Sequence, residues 1–475
     1  MRKTAVCLLA CVLFLFGILP ASFAEPAAYT AGDYTFVLQY DGTAMITRYD
    51  GAEASLVIPK ELNGTPVTAV GASAFQANDT LEELVIPEGV TSLGDYAFRR
   101  CAYLAKAALP ASLTEAGLNP FEGCAALDGL SVAEGNPNLY LRDGVLFSRE
   151  DGRLICYPMT KEPGAYAVPE GIRIIGASAF YGCENITRIE ICDSVLAIGR
   201  RAFYQCGSLR AINLQDARIT TVGADAFSGC RSLQAIAFPE RVTTIAERAF
   251  QDCTALTELI LPENVMTIGE MAFRNCESLV SVKLPEDLTT IGKNTFAGCR
   301  SLAELELPDE LFYIGGGAFQ NCESLTRVRL PEAIDYIGSE AFDGCVSLEE
   351  IVLPDSCSHI GARAFNRCQS LKRLTLPSEI YMVNPFTFSG CISLAEVLLP
   401  DELEEIGESA FFCCYSLREI VIPDPVEIIG DYAFSNCTSL EHVELSEDLE
   451  TVGPNSFENC VKLTDLPDLS DLYEE

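Results

Sequence analysis

Cysteine carries the most chemistry in this chain. Fifteen of the 21 cysteines, at 101, 124, 183, 206, 230, 253, 276, 299, 322, 345, 368, 391, 414, 437 and 460, each follow a phenylalanine by three residues. Thiols at regular spacing can form disulfides, ligate metal, or stay free as small buried side chains. If equivalent positions stack on successive turns of a repeat, their Cβ atoms stand about 4.8 Å apart and point the same way. A disulfide needs Cβ atoms about 3.8 Å apart on converging vectors. One ligand per turn does not converge on a tetrahedron either. The spacing therefore predicts a ladder of free thiols, unreactive until denatured, with Cys299, Cys322, Cys345 and Cys368 among its rungs. A disulfide framework is the competing reading for an exported chain. Cys357 falls on an apolar position, and Cys413-Cys414 leaves one thiol for the surface.

Carboxylates come next. An acid follows proline at Glu88, Glu240, Glu263, Glu286, Asp309, Glu332, Asp355, Asp401 and Asp424. Calcium bridging along such a row needs many oxygens per ion, and no calcium repeat is present. Pro followed by an acid also suits a type I turn facing water, which is the expectation here. The only histidines are His359 and His442, and there is no His-Glu-x-x-His and no phosphate-cradling glycine loop. A glycosidase-like carboxylate pair needs a closed pocket that a repeated surface does not supply. No catalytic residue, metal or cofactor is expected. Asn78-Asp-Thr80, Asn185-Ile-Thr187 and Asn436-Cys-Thr438 match a glycosylation pattern, read here as coincidence of the repeat.

The elements that must position these residues are copies of one unit. From Gly71 almost to the end the pattern I-G-x-x-A-F-x-x-C-x-S-L-x-x-I/V/L-x-L-P-D/E recurs, with Phe at 75, 98, 121, 180, 203, 227, 250, 273, 296, 319, 342, 365, 388, 411, 434 and 457. Most spacings are 23 residues; one is 24, and one is 59, a period plus 36. A unit this small holds no core alone, so copies must stack into a solenoid. Val328 and Leu330 alternate with Arg327 and Arg329, a half-buried strand, and Pro331 ends it because it lacks a ladder N–H. Tyr336-Ile337 suits a second short strand, and 338–345 suits one or two helical turns. Phe296, Phe319, Phe342 and Phe365 read as a ladder beside the thiols. The Gly four before each Phe reads as a left-handed position, since Asn384 replaces it once, although Ala246 also does. The expected fold is an α/β repeat solenoid: a parallel sheet of one strand per coil, a short second strand and a short helix.

These units resemble the BspA-like class of bacterial leucine-rich repeats, over residues 71 to about 466. The resemblance implies secreted or surface proteins that act in adhesion.

The remaining segments divide the chain. Residues 1–24 read as an export signal: a basic start, an apolar stretch from Ala5 to Leu19, and small residues before a cleavage site after Ala24. A lipoprotein signal ending at Cys11 is the minor alternative. Residues 25–70 read as a β-hairpin cap around Asp41-Gly42. Repeats 71–130 and 169–466 flank an inserted hairpin, 131–168, expected to pair 139–147 with 154–157 across the turn 148–153. An acidic tail, 467–475, is expected to fray.

The chain has 475 residues and a formal charge of −36; the signal removes two cations and no acid, leaving −38. Nucleic acid and anionic membrane are poor partners for it, and no apolar run is long enough for a membrane span.

A ligand is expected on the strand face. The first outward position reads Glu258, Ser281, Glu304, Arg327, Glu350, Arg373, Glu396, Glu419, His442, and the second reads Ile260, Lys283, Glu306, Arg329, Val352, Thr375, Leu398, Val421, Glu444. The alternating charges serve strand stacking on one reading. On the other, Arg327, Arg329 and Arg373 anchor a partner beside exposed Val352, Leu398 and Val421, with Glu304, Glu350 and Glu396 between them. The function expected is an exported, monomeric binding protein for an extracellular protein or surface glycan. A structural envelope component without a specific ligand is the alternative, and a glycan-active enzyme a remote one.

Overall fold

A computed structural model describes residues 27–464 and 466–472. The export signal and Cys11 lie outside the described residues. Each 23-residue unit makes one turn with three backbone ladders. The first is the strand centred on the x-L-x motif, such as Arg327–Arg329, in parallel register with Glu350–Val352. The second is the two-residue strand, such as Tyr336–Ile337, in register with Tyr313–Ile314 and His359–Ile360. Both follow the alternation in the sequence: Val328 is buried between exposed Arg327 and Arg329, and Ile337 is buried after half-exposed Tyr336.

The third ladder carries the phenylalanines, and here the expected helical turn is not found. Among the described residues there is no α-helix, and the only helical segment is a 3-10 turn at Ser470–Leu472. Around Phe319, the N–H groups of Gly317, Phe319 and Asn321 donate to the carbonyls of Ser339, Ala341 and Asp343 in the next coil, at 2.7–2.9 Å. An α-helix would send them back within its own segment. Turning the chain this way puts the residues two before and two after the Phe in the left-handed region: Ser73 (φ 54°) and Ala77 (φ 56°), Arg363 (φ 58°) and Arg367 (φ 59°).

The conserved-spacing glycine therefore has a different role from the one expected. Gly94 and Gly338 have no positive φ, but a Cβ on either would lie 2.5 Å from the backbone nitrogen of Ala72 or Gly316 in the preceding coil. Glycine is there because two backbones meet. The true left-handed positions accept glycine readily, as at Gly298 (φ 76°) and Gly344 (φ 74°). Ala77 is exposed, so Ala77→Gly is expected to stabilise the chain by about 1 kcal/mol by removing left-handed strain. A chemical-denaturation midpoint at or below wild type contradicts this.

The core of each array is a stack of rings, the first ending at Phe121 and the second beginning at Tyr157. Phe250, Phe273, Phe296, Phe319, Phe342 and Phe365 are fully buried, with centroids 5.3–5.7 Å apart and planes within 15°. Two tyrosines extend the stacks where no repeat is written. Tyr49 lies 5.0 Å from Phe75, and Tyr157 lies 5.0 Å from Phe180. Residues 44–70 already run with the repeats. Ala44–Tyr49 pairs in parallel with Thr65–Val70, and Ser55–Val57 with Glu83–Val85. An antiparallel pair, Ala28–Ala31 with Tyr34–Leu38, covers this end.

The insertion is a three-stranded meander, not a single hairpin. Leu139–Arg142 pairs with Val145–Ser148 around Asp143-Gly144, and Val145–Ser148 pairs with Arg153–Cys156. Arg153–Cys156 then continues in parallel into Ile174–Ile175. It splices the two arrays: Leu146 and Ile155 join the core of the first, and Val145, Phe147 and Leu154 that of the second. The tail is packed over its described part. Leu469 is buried, and Leu463, Leu466 and Leu472 pack on the last coil, where Phe457 and Cys460 would otherwise end the stack uncovered. No helix among the described residues is long and apolar enough to cross a membrane.

Candidate binding surface

The strand ladder fixes what faces outward. In Glu304–Glu306, Arg327–Arg329, Glu350–Val352, Arg373–Thr375, Glu396–Leu398 and Glu419–Val421 the middle residue is buried and both flanks are exposed. Register sets Arg327 beside Glu350, Arg329 beside Val352, Arg373 beside Glu396 and Thr375 beside Leu398. The structure thus brings the predicted residues into two adjacent rows.

Charge alternation along the first row yields little pairing. Arg327 Nε is 3.9 Å from Glu350 Oε2, with both side chains largely in water. Among the described residues, Arg329 and Arg373 have no carboxylate within ion-pair distance. Lys283, adjacent in register to Glu306, instead reaches Glu263 at 2.8 Å. The tighter cross-coil pairs, at 2.7 Å, are Lys106–Glu83, at the same outward position near the N-terminus, and Lys372–Glu349, one residue before it. Exposed pairs of this kind contribute little.

The second row carries apolar surface. Ile260, Val352, Leu398 and Val421 are 55%, 65%, 64% and 56% exposed, and Val57 and Val85 repeat the position near the N-terminus. A further row, on the two-residue strands, was not singled out from the sequence. Tyr313, Tyr336 and His359 stack with centroids 5.0 and 4.5 Å apart, beside exposed Phe312 and Tyr381. The signal was available: aromatic residues precede the repeat isoleucine in consecutive coils.

The thiols occupy the interior. None of the nineteen described cysteines is in a disulfide, and all fifteen at repeat positions are buried. Each donates its S–H to the carbonyl of the aromatic residue one coil earlier: Cys299 to Phe273 at 3.3 Å, Cys322 to Phe296 at 3.4 Å, Cys345 to Phe319 at 3.2 Å, Cys368 to Phe342 at 3.3 Å. That carbonyl also accepts the N–H of its own coil's cysteine, as in Cys322 N to Phe319 O. Cysteine is thus small enough for the stack and supplies a second donor to a buried carbonyl. Burial pushes the thiols of Cys156, Cys299, Cys345 and Cys391 up to about 12.

The acids after proline do more than face water. Glu88 accepts the N–H groups of Ala111 and Ser112 in the next coil at 2.8 and 3.0 Å, and these, Ala111 first, hold its carboxyl below the usual range. Glu263 accepts from Glu286 N in the same way. Among the described residues no group of three or more metal-ligating side chains is gathered.

Comparison with known proteins follows this geometry. The model of the BspA type leucine rich repeat region, in six copies, matches residues 62–140, 164–276, 243–372 and 358–473, leaving out most of the inserted meander. A leucine-rich repeat protein from Bacteroides ovatus is 31% identical, with 69% of this chain and 92% of that one covered and a TM-score of 0.55. A leucine rich cell surface protein from Faecalibacterium prausnitzii is 24% identical, with 93% and 94% covered and a TM-score of 0.38. No curated protein matches the sequence. The matching family is a repeat scaffold, and no catalytic family is indicated.

Proposed function

Because this chain belongs to the BspA-type leucine-rich repeat family, we propose that it is exported and binds an extracellular protein or surface glycan through its strand face. One observation supports this most. The second outward row holds apolar side chains more than half exposed, Val352, Leu398 and Val421, next to Arg329 and Arg373 that no carboxylate neutralises. Apolar surface beside unpaired guanidinium groups is the composition of a protein-contact patch rather than of a solvated face. Strand stacking does not need these residues, since the pairing that register permits is long or absent. The N-terminal signal read over 1–24 and the charge of −36 agree with an extracellular partner that is not nucleic acid. The alternative is a structural envelope component with no specific ligand.

Capture from solubilised extracellular matrix and mucin separates the two. The double variant Arg327→Glu, Arg373→Glu is expected to lose at least about tenfold in binding to the captured partner, a loss in keeping with removal of two anchoring arginines. Its melting temperature is expected to move little. Unchanged binding by the folded double variant removes these residues from the site, and no specific capture at all favours the structural role.

A further inference from the structure

The strand ladder has a fault. It runs through Ala211–Asn213 and resumes at Glu258–Ile260, but the coil between them forms no strand, whereas at the later interruptions, after Glu350–Val352 and after Glu396–Leu398, the strands on both sides are formed. Residues 235–238 hold only an isolated bridge between Ala237 and Asn213. Thr257 N donates to Gln234 O at 3.2 Å, and among the described residues no further backbone bond joins 235–238 to 258–260. The coil before the fault is the one with a 24-residue spacing. Its Asn213 side chain turns back to bond both Ile191 N and Ile191 O.

The fault coincides with small side chains. Where other coils present Glu304 and Glu306, or Arg327 and Arg329, this coil presents Ala235 and Ala237. The result is a depression of about 450 Å³ in the strand face, within the size range of small-ligand sites. Its apolar surface comes from Ile236, Phe238, Ile260 and Leu261. Phe238 is fixed edge-on against Phe250 of the ring stack, centroids 5.6 Å apart. The rim is acidic. Glu240 and Glu258 have no cation within ion-pair distance among the described residues, while the one lysine, Lys283, is held by Glu263 at 2.8 Å.

We infer that this depression is a pocket for an arginine side chain projecting from a partner protein. An aliphatic stem fits the apolar floor, and the guanidinium reaches carboxylates that are otherwise unpaired. The guanidinium has five N–H donors and no acceptor, matching two free carboxylates. It is also less tightly hydrated than an ammonium, so it leaves water for a half-buried rim more easily. The strongly acidic chain draws basic segments toward it from a distance. The inference rests on the reading of this chain as a protein binder and names a chemistry for its partner, at a site separate from 304–421.

The test uses the full chain with labelled isoleucine and leucine methyls, titrated with the acetylated and amidated tripeptides Gly-Arg-Gly, Gly-norleucine-Gly and Gly-Glu-Gly. The arginine peptide is expected to shift the methyls of Ile236, Ile260 and Leu261, with a dissociation constant on the order of millimolar for so small a probe. The norleucine and glutamate peptides are expected to leave them in place. Glu240→Gln with Glu258→Gln is expected to weaken the response about fivefold or more, the loss of charge pairing at a partly exposed site. Ala237→Leu, an exposed position where added volume fills the depression, is expected to abolish it. Equal shifts with norleucine, or an undiminished response in Ala237→Leu, overturn the pocket. A chain that captures matrix protein through 304–421 but shows no methyl shift with the arginine peptide overturns this inference alone. Methyl shifts in a chain that captures nothing uphold the pocket and count only against the surface at 304–421.

Discussion

Raising the pH from about 8 to about 10 in the presence of reductant is expected to unfold this chain steeply. The cause is the thiol ladder. In the unfolded chain a cysteine titrates near 8.5, whereas burial holds Cys156, Cys299, Cys345 and Cys391 up to about 12 and raises Cys276, Cys322 and Cys368 as well. A group whose folded value is raised contributes stability that is complete below the unfolded value and is lost as pH climbs toward the folded one. The window therefore opens near pH 8.5 and extends to about 12. At pH 9.5 each such thiol forfeits roughly 1.4 kcal/mol, so the four near 12 forfeit roughly 5–6 kcal/mol together. That is comparable to the whole stability of an ordinary domain. Denaturant titrations at half-unit steps, with proton release followed on unfolding, measure the effect. Replacing Cys299, Cys322, Cys345 and Cys368 by alanine is expected to lower stability at pH 7 yet flatten the alkaline slope. A wild-type slope no steeper than that of a single thiol, about 1.4 kcal/mol per pH unit, contradicts a ladder of neutral buried thiols. At neutral pH the same burial keeps Cys276, Cys299, Cys322, Cys345, Cys368 and Cys391 from reagents, because the thiolate is the nucleophile.

Phe319→Ala is expected to cost about 3–5 kcal/mol, the range for emptying a phenylalanine site in a packed core. Phe319 is fully buried between Phe296 and Phe342, at 5.7 and 5.3 Å, and its carbonyl accepts from both Cys322 N and Cys345 Sγ. The cavity therefore opens in two coil interfaces at once, and stability in a solenoid is a sum over such interfaces. Phe457 supplies the internal control. Among the described residues it stacks on Phe434 alone, at 5.3 Å, and is only partly buried. Phe457→Ala should cost less than half as much in the same urea titration. Equal losses at the two positions mean that the ring stack is not what couples the coils.

The Phe and Cys columns, the 23-residue period and the outward rows from Glu304 to Val421 were all legible in the sequence. A repeat writes the same environment many times over, so a single copy need not be decisive. The alternation in Arg327–Arg329 is enough to say which side chains face water, because strand geometry has a period of two. The family resemblance followed from the same columns.

What the sequence left open was settled between coils. The residues 338–345 look helical in isolation, but the alternate N–H groups of Glu340, Phe342 and Gly344 bond the next coil, with left-handed backbone at Glu340 (φ 62°) and Gly344 (φ 74°). Local propensity holds no record of a partner 23 residues away. Gly338 is required by the backbone it touches, not by its own φ. Tyr49 and Tyr157 join the ring stack without a surrounding motif, although Tyr157 stands one period before Phe180 and that spacing was a usable clue. The leucines of the tail fold onto the last coil because an open end of the stack exposes apolar surface. The fault at 235–238 is of the same kind. Ala235 and Ala237 are unremarkable as residues, and it is the structure that shows their coil without a strand and a depression lined by both.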